Sequence, residues 1–332
     1  MAITAIRPAG YGDSPYQPLS TFAGNELLVS PEDLIEDGLL RSDDCAGGSF
    51  CTTAVDYAAV IPFKRRLFET TWSNFTAGGR ADLRNAFSEF CEREAHWLDD
   101  YALFRALKAR IRGASYLDWP ADLARREAAA LDSARRELFA ECELTGFAQF
   151  LLFRQGGSLK EYGRAKGLRM LGDLPFYVSP DSSDVWANPQ LFRLDEHDRP
   201  LFVAGVPPDY FSATGQLWGN PVYNWQALRD TGYRWWIDRL RPARACRHDT
   251  PGSLPRFRRG LARTRRIGDG RDRKLGSRSG HRFLRCRGSG AGRTPIHRAG
   301  SGTDHARCGR IARPLPSPGD ARAPVRLRRP RR

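Results

Sequence analysis

The chain changes character between Arg241 and Pro242, and this break limits what it can fold into. Residues 1–241 hold 27 Lys and Arg against 33 Asp and Glu, whereas residues 242–332 hold 26 Lys and Arg against five Asp and no Glu. All eight Trp and all ten Tyr precede the break. The later residues lack the apolar surface needed to offset their ordering entropy. We therefore predict a folded part over 1–241 and a disordered basic tail over 242–332.

The net charge of +15 comes from this tail and not from the predicted folded part. A basic chain that binds nucleic acid is therefore not the favoured interpretation. The seven Cys residues form no CxxC pair and show no metal-ligand spacing, which predicts reduced thiols and no metal site in a cytoplasmic protein. No stretch approaches the roughly 18 consecutive apolar residues typical of a membrane helix, so no membrane partner is expected.

The local patterns predict a strand followed by a mostly helical segment over about 26–166. A short β-branched run, Ala2–Arg7, is typical of a strand and leads into a loop rich in Pro, Gly and Asp. Ser30 and Pro31 mark a helix start, with Ser at the N-cap and Pro at the first helical position. The clearest amphipathic helix is Ala81–Trp97, with Leu83, Phe87, Phe90, Cys91 and Trp97 near one face.

Further helices are predicted over Leu123–Leu144, Gly146–Lys166 and Trp225–Arg239. Between them, Leu168–Val178 resembles a buried strand, so that helix, turn and strand follow in the order of a βα barrel or an open parallel sheet. Ser179–Tyr223 lacks periodicity and is dense in Pro, Asp, Asn, Gly and aromatic residues. A loop this long in a compact domain is usually functional.

Aromatic residues in these loops are candidates for sugar binding, because a pyranose ring offers an apolar face to an aromatic ring and hydroxyls to polar groups. The alternative interpretation, which is favoured over sugar contact when the local residues alone are considered, is that the rings pack the loops down. The candidates are Tyr16, Trp186, Tyr210, Phe211, Trp218 and Tyr223.

Acidic residues near the predicted strand allow two interpretations. Asp173 is a salt-bridged structural residue or a substrate ligand, since an unpaired carboxylate in a strand would be costly to bury. Asp181, Asp184 and Asp195 have the surroundings of turn or cap residues, for which a structural role is favoured.

Six strings in order resemble the amylomaltase family of 4-α-glucanotransferases over about residues 5–241. They are GYGDSPYQPLSTFAGN (10–25), PFKRRLFE (62–69), WLDDYALFRALK (97–108), FAQFLLFRQ (147–155), GDLPFYVSPDSSDVWANPQLF (172–192) and AGVPPDYFSATGQLWGNPVYNW (204–225). The resemblance implies an α/β fold, here an incomplete (β/α)8 TIM-type barrel with an inserted helical subdomain. It also implies transfer of 1,4-α-glucan segments to a glucose or maltooligosaccharide acceptor, with no metal or organic cofactor.

The resemblance further implies which residues meet the substrate. Tyr16, Asp173 and Trp218 are expected to line the acceptor and donor subsites, since barrel sites lie at the C-terminal ends of strands. Tyr210 and Asn220, in the segment Pro207–Tyr223 that would partly cover the glucan, are expected to bind it as well. The expected partners are maltooligosaccharides and starch or glycogen-type α-glucans.

The family's catalytic carboxylates are not found. Its retaining mechanism uses an Asp nucleophile in an RLDHF string, a Glu in AEDLG and a second Asp in THDN, and none of these strings occurs. We therefore assign no catalytic residue and expect the chain as written to be inactive. Asp249–Leu254 (DTPGSL) is encoded by GAY ACN CCN GGN TCN CTN, and loss of one base permits Ile-Arg-Leu-Asp-His-Phe. We infer a frameshift close to Arg241.

Two alternatives remain open. The chain is a non-catalytic glucan-binding fragment that uses Tyr16 and Trp218 as stacking platforms, or it binds polyanions through arginines of the tail such as Arg258, Arg259, Arg328 and Arg329. Steep salt dependence of binding that disappears on deletion of residues 242–332 would distinguish the second.

Resequencing the coding DNA across the codons for Arg239 to Leu254 tests the frameshift. We expect one miscounted base, after whose correction the RLDHF string appears in frame. An unchanged reading frame contradicts the sequencing-error form of the hypothesis and leaves the family's activity unassigned to this chain.

Overall fold

The computed structural model describes residues 2–3, 8, 17–48, 50–78, 80–168, 171–172, 174–206, 210 and 213–245, and this part of the chain is a mostly helical α/β structure. Strand β1 (Ala2–Ile3) pairs in parallel with β2 (Leu171–Gly172), with Ala2 opposite Leu171 and Ile3 opposite Gly172. Parallel strands require a long crossover connection, and here that connection contains the helical segment. The predicted tail lies outside the described residues from position 246 onward.

Six α-helices lie between the two parallel strands in the described part of the chain. They are α1 (Pro31–Glu36), α2 (Tyr57–Ala77), α3 (Ala81–Arg110), α4 (Ala121–Ala124), α5 (Ala128–Glu137) and α6 (Phe139–Ala165). The predicted start of α1 is confirmed, because the Ser30 side chain accepts a hydrogen bond from the Asp33 N–H and Pro31 occupies the first helical position.

The core of the helical segment is an aromatic cluster where α2, α3 and α6 meet. Leu83, Phe87, Phe90 and Trp97 are buried, which confirms the predicted face of α3, and Cys91 at its edge is half-buried. Phe75, Phe87 and Phe147 lie with ring centroids 4.6 to 5.9 Å apart, and Phe150 extends the cluster along α6. Tilted and edge-to-face rings at such distances stabilise beyond the area that they bury.

The prediction of one helix over Leu123–Leu144 and another from Gly146 is wrong in its boundaries. The chain breaks after α4 and again at Leu138, and α6 already begins at Phe139. At the first break Arg126 takes a left-handed conformation with φ 59°. Its guanidinium there lies 4.2 Å from the centroid of the Trp186 ring and pairs with Asp100 at 2.7 Å. Tertiary contacts of this kind override helix propensity.

The segment Ser179–Tyr223, predicted as one long loop, contains regular structure. It includes α7 (Ser183–Ala187) and an antiparallel hairpin of β3 (Val203–Val206) and β4 (Gln216–Pro221). The predicted single helix after it is two helices, α8 (Trp225–Asp230) and α9 (Arg234–Ala245). They are separated by a turn in which Tyr233 has φ 60°.

Two glutamines of α6 fix the chain that follows the N-terminal loop. Gln149 accepts a hydrogen bond from the Gly24 N–H at 2.8 Å and donates one to the Gly24 carbonyl at 3.0 Å. Gln155 makes the same pair with Ser30, at 2.7 and 3.1 Å. Each side chain thus satisfies both main-chain groups of one residue, as a neighbouring strand would.

The same N-terminal segment is tied to α7 on its other side. Asp184 accepts a hydrogen bond from the Thr21 N–H at 2.7 Å, and Ser183 donates from its N–H to the Leu19 carbonyl at 2.9 Å. The helical segment and the chain beyond β2 are therefore joined through residues 19–30. Within the described residues, no helix combines the length and the apolar character needed to cross a membrane.

Replacing Gln149 by Leu tests this connection. We expect Gln149→Leu to lower the free energy of unfolding by about 2 kcal/mol, because the buried N–H and carbonyl of Gly24 both lose a partner. Gln226→Leu, on the exposed side of α8, is the control and should change stability by less than about 0.5 kcal/mol. Urea unfolding of the full chain measures both, and equal midpoints for the two variants would contradict the assignment.

Candidate functional site

The main chain directly beyond β2 is held by side chains from three later positions. Asn220 donates from Nδ2 to the Val178 carbonyl at 2.7 Å, and the Tyr223 hydroxyl donates to the Phe176 carbonyl at 2.8 Å. Arg239 donates from Nη1 to the Phe176 carbonyl at 3.0 Å and from Nη2 to the Pro175 carbonyl. We call this set of contacts the carbonyl clamp. It lies past the C-terminal end of a parallel strand, where α/β folds place their sites.

Arg239 of α9 is the charged member of the carbonyl clamp and is 1% exposed. Its guanidinium lies 4.7 Å from the centroid of the Trp236 ring and 5.3 Å from that of Trp235. Aromatic faces and carbonyl oxygens both stabilise a cation, so that the charge is tolerated without contact with bulk water. The buried guanidinium therefore costs less free energy than an isolated charge would.

Tyr223 is a second buried member of the carbonyl clamp. It accepts a hydrogen bond from Arg239 Nη1 at 3.0 Å while donating to the Phe176 carbonyl. Burial raises the pKa of the Tyr223 hydroxyl above its ordinary value, and the neighbouring Arg239 charge opposes that rise. The hydroxyl therefore keeps its proton and remains a donor at neutral pH.

The hairpin β3–β4 carries two of the predicted site residues, Trp218 and Asn220. Gly205 of β3 lies opposite Leu217 of β4, and a Cβ added at Gly205 would lie 2.5 Å from the Gln216 carbonyl oxygen. The absence of a side chain therefore allows the two strands to approach. Between Trp218 and Asn220, Gly219 has φ 79°, a left-handed conformation that favours glycine.

Trp218 presents an aromatic face beside the carbonyl clamp. It is 42% exposed, and its Nε1–H donates to Gln216 Oε1 at 3.0 Å. Its ring meets the ring of Tyr177 at a centroid distance of 6.5 Å, and Tyr177 in turn stacks on Tyr223 at 6.0 Å and 13°. An exposed indole whose polar edge is already hydrogen-bonded offers its apolar face to a ligand.

The remaining candidate residues differ in their exposure to solvent. Asn220 is 6% exposed and its amide holds the Val178 carbonyl, whereas Tyr210 is 97% exposed. Trp186 and Tyr223 are buried, so that the packing interpretation describes them. Tyr16, Asp173 and Phe211 lie outside the described residues, and their predicted roles stay predictions.

The structural role predicted for three acidic residues is confirmed. Asp181 pairs with Lys108 at 2.5 Å, and Asp184 holds the Thr21 N–H. Asp195 Oδ1 accepts from the N–H groups of His197 and Arg199, both at 2.9 Å, in a turn. These carboxylates are engaged in ordering the chain around the site.

Three residues at the site were not singled out by the sequence: Tyr177, Gln216 and Arg239. For Arg239 a signal was present, since it follows Trp235 and Trp236 by four and three residues and thus shares a helix face with them. Within the described part of the chain, no group of three or more His, Cys, Asp or Glu side chains is arranged to hold a metal ion. The exposed Trp218 side chain is chemically suited to a ligand that has an apolar face.

Comparison with known proteins identifies one family. The sequence profile of glycoside hydrolase family 77, described as 4-alpha-glucanotransferase, matches residues 1–248. The chain is 45% identical over 241 residues to the 4-alpha-glucanotransferase of Thermus thermophilus, covering 73% of this chain and 48% of that protein. It is 43% identical over 229 residues to the enzyme of the same name from Aquifex aeolicus, covering 69% and 45%.

A solved structure agrees with these relatives. The amylomaltase from Streptococcus agalactiae in complex with acarbose superimposes with a TM-score of 0.68 and 37% identity, covering 73% of this chain and 49% of that chain. The amylomaltase from Corynebacterium glutamicum, 20% identical with a TM-score of 0.51, shares the fold. The chain spans about half the length of the curated relatives that it matches.

Replacing Gly205 by Ala tests whether the hairpin geometry depends on close main-chain approach. We expect Gly205→Ala to lower the free energy of unfolding by about 2 kcal/mol, because the new Cβ overlaps a main-chain oxygen that cannot move alone. Gly156→Ala is the matched control, because Gly156 lies on an exposed part of α6 and nothing lies within 4 Å of its added Cβ. The control should gain about 0.5–1 kcal/mol from helix propensity. Thermal unfolding that shows the same sign for both changes would contradict this account.

Proposed function

This chain belongs to the 4-alpha-glucanotransferase family, and from that premise we propose that it forms the part of a glucanotransferase that binds the α-glucan beyond strand β2. The observation that carries the proposal is the exposed Trp218 face beside Tyr177, fixed to the carbonyl clamp at the end of a parallel strand. A sugar ring stacks on such a face and directs its hydroxyls to polar groups around it.

The proposed substrates are 1,4-α-glucans, from maltooligosaccharides to starch or glycogen-type polymers, in the cytoplasm. We propose that Trp218, Tyr210, Tyr16 and Asp173 contact the glucan. Asn220 supports these residues indirectly, because its side-chain amide holds the Val178 carbonyl. The amylomaltase from Streptococcus agalactiae binds acarbose in its solved structure, which makes acarbose the natural probe.

The proposed architecture is an incomplete (β/α)8 barrel in which β1 and β2 are neighbouring strands. Parallel pairing of these strands across the helical segment supports this arrangement, because barrel strands are parallel and are joined by helical crossovers. The segment containing α1 to α6 is then the helical subdomain inserted between the two strands.

The proposed chemistry of the whole family member is retaining transfer, in which a sugar acceptor replaces water. Such transfer needs two carboxyl groups about 5–5.5 Å apart on either side of the glycosidic bond. The strings that carry these groups in the family do not occur in this sequence. We therefore propose that the chain as written binds glucan without transferring it.

Substitution of Trp218 tests the binding surface. We expect Trp218→Ala to weaken acarbose binding to the full chain by about tenfold, since a stacked aromatic contact is worth about 0.5–1.5 kcal/mol beyond its buried area. Tyr162→Ala, an exposed aromatic on α6, is the control and should bind as the unmodified chain does. Isothermal titration calorimetry measures the acarbose affinity of the unmodified chain and of both variants.

The outcomes separate the two parts of the proposal. An unmodified chain that does not bind acarbose contradicts the glucan site itself. Steady conversion of maltotriose into glucose and longer oligosaccharides by the purified chain contradicts binding without transfer. Equal affinities for Trp218→Ala and the unmodified chain remove Trp218 from the site.

A further inference from the structure

Three separate elements meet at the four residues Pro175–Val178. Arg239 reaches them from α9, Tyr223 from the short connection between β4 and α8, and Asn220 from β4 itself. The carbonyls of residues 175, 176 and 178 all accept hydrogen bonds from these side chains. Side-chain donors therefore fix the path of the main chain beyond β2. In a longer strand, the main chain of a neighbouring strand would supply these hydrogen bonds.

The contacts of Arg239 require the shape of a guanidinium group. One terminal nitrogen donates to both the Phe176 carbonyl and the Tyr223 hydroxyl at 3.0 Å, while the other donates to the Pro175 carbonyl. A planar fork can serve two successive carbonyls in this way, whereas a lysine ammonium on its flexible stem cannot reproduce the arrangement. The rings of Trp235 and Trp236 restrict where the guanidinium can lie.

The clamp also sets the direction of Tyr177. This residue lies between Phe176 and Val178, whose carbonyls are both held. Its ring stacks on Tyr223 and meets the ring of Trp218 at an interplanar angle of 62°. A change in the main chain at residues 175–176 is therefore transmitted to the aromatic surface on which the proposed glucan lies, although Arg239 itself is buried.

We infer that Arg239 is a positioning residue for the α-glucan site, acting through the carbonyls of Pro175 and Phe176 on Tyr177 and Trp218. The inference rests on the proposed function and adds to it a residue that does not touch the sugar. Side chains that orient binding groups in this way must hold them to within about 0.5 Å of the productive geometry.

Acarbose affinity of the full chain, measured by isothermal titration calorimetry, tests the inference. The variants are Arg239→Lys, which keeps the charge but loses the fork, and Tyr223→Phe, which removes one oxygen of the clamp. The control is Leu131→Ala, a buried residue of α5 on the helical side, whose loss destabilises the chain without contacting the clamp. Urea unfolding first defines a temperature at which every variant is folded, so that affinity is not limited by stability.

We expect affinity about tenfold weaker for Arg239→Lys and about threefold weaker for Tyr223→Phe, because small displacements of binding groups have large effects. Leu131→Ala should bind acarbose like the unmodified chain. If Arg239 acted only through the overall stability of the chain, Leu131→Ala would weaken binding as well. If Arg239→Lys does not fold, Tyr223→Phe decides in the same way.

Unchanged affinity in the folded Arg239→Lys variant overturns the inference, as does unchanged affinity in Tyr223→Phe when the first variant does not fold. Equal weakening in Leu131→Ala overturns it too, since the loss would then follow stability alone. Absence of acarbose binding by the unmodified chain contradicts the proposed function, and the positioning role is then overturned with it. Acarbose binding by the unmodified chain therefore distinguishes failure of the proposed function from failure of the positioning role alone.

Discussion

A buried guanidinium bound to main-chain carbonyls is the interaction on which the arrangement beyond β2 depends. Removing a charged group from water costs several kcal/mol, and carbonyl oxygens, a phenol oxygen and two indole faces around Arg239 offset part of this cost. Because those acceptors belong to the exit of β2 and to the connection between β4 and α8, one side chain connects elements that are distant in sequence. Helix α9 is thereby fixed against residues 175–176 at the exit of β2.

The helical segment supplies the rest of the framework. Its aromatic cluster fixes α6 against α2 and α3, and α6 then fixes residues 24–30 through Gln149 and Gln155. From the other side, α7 holds residues 19–21. Residues 19–30 are thus held by hydrogen bonds to their main-chain groups, from α6 on one side and from α7 on the other.

Sequence patterns predicted those parts of the fold that local physics decides. The Ser30 cap and the apolar face of α3 follow from capping and periodicity alone, and the six family strings identified the family that the profile and the relatives show. The break at Arg126 could not be predicted, because its left-handed conformation is maintained by Trp186 and Asp100, which are distant in sequence.

The candidate site was predictable to the same limited degree. Trp218 was selected as an exposed sugar-stacking residue and is exposed, whereas β4 was hidden because QLWGNP lacks the β-branched alternation of a strand. Arg239 was missed since an arginine in a surface helix ordinarily faces water. Hydrogen–deuterium exchange of the full chain with and without acarbose measures whether the glucan lies at the exit of β2. We expect added amide protection in residues 174–179 and 216–223 with none in α2 to α6. Protection confined to the helices, or absent throughout, would show that no glucan binds at the exit of β2.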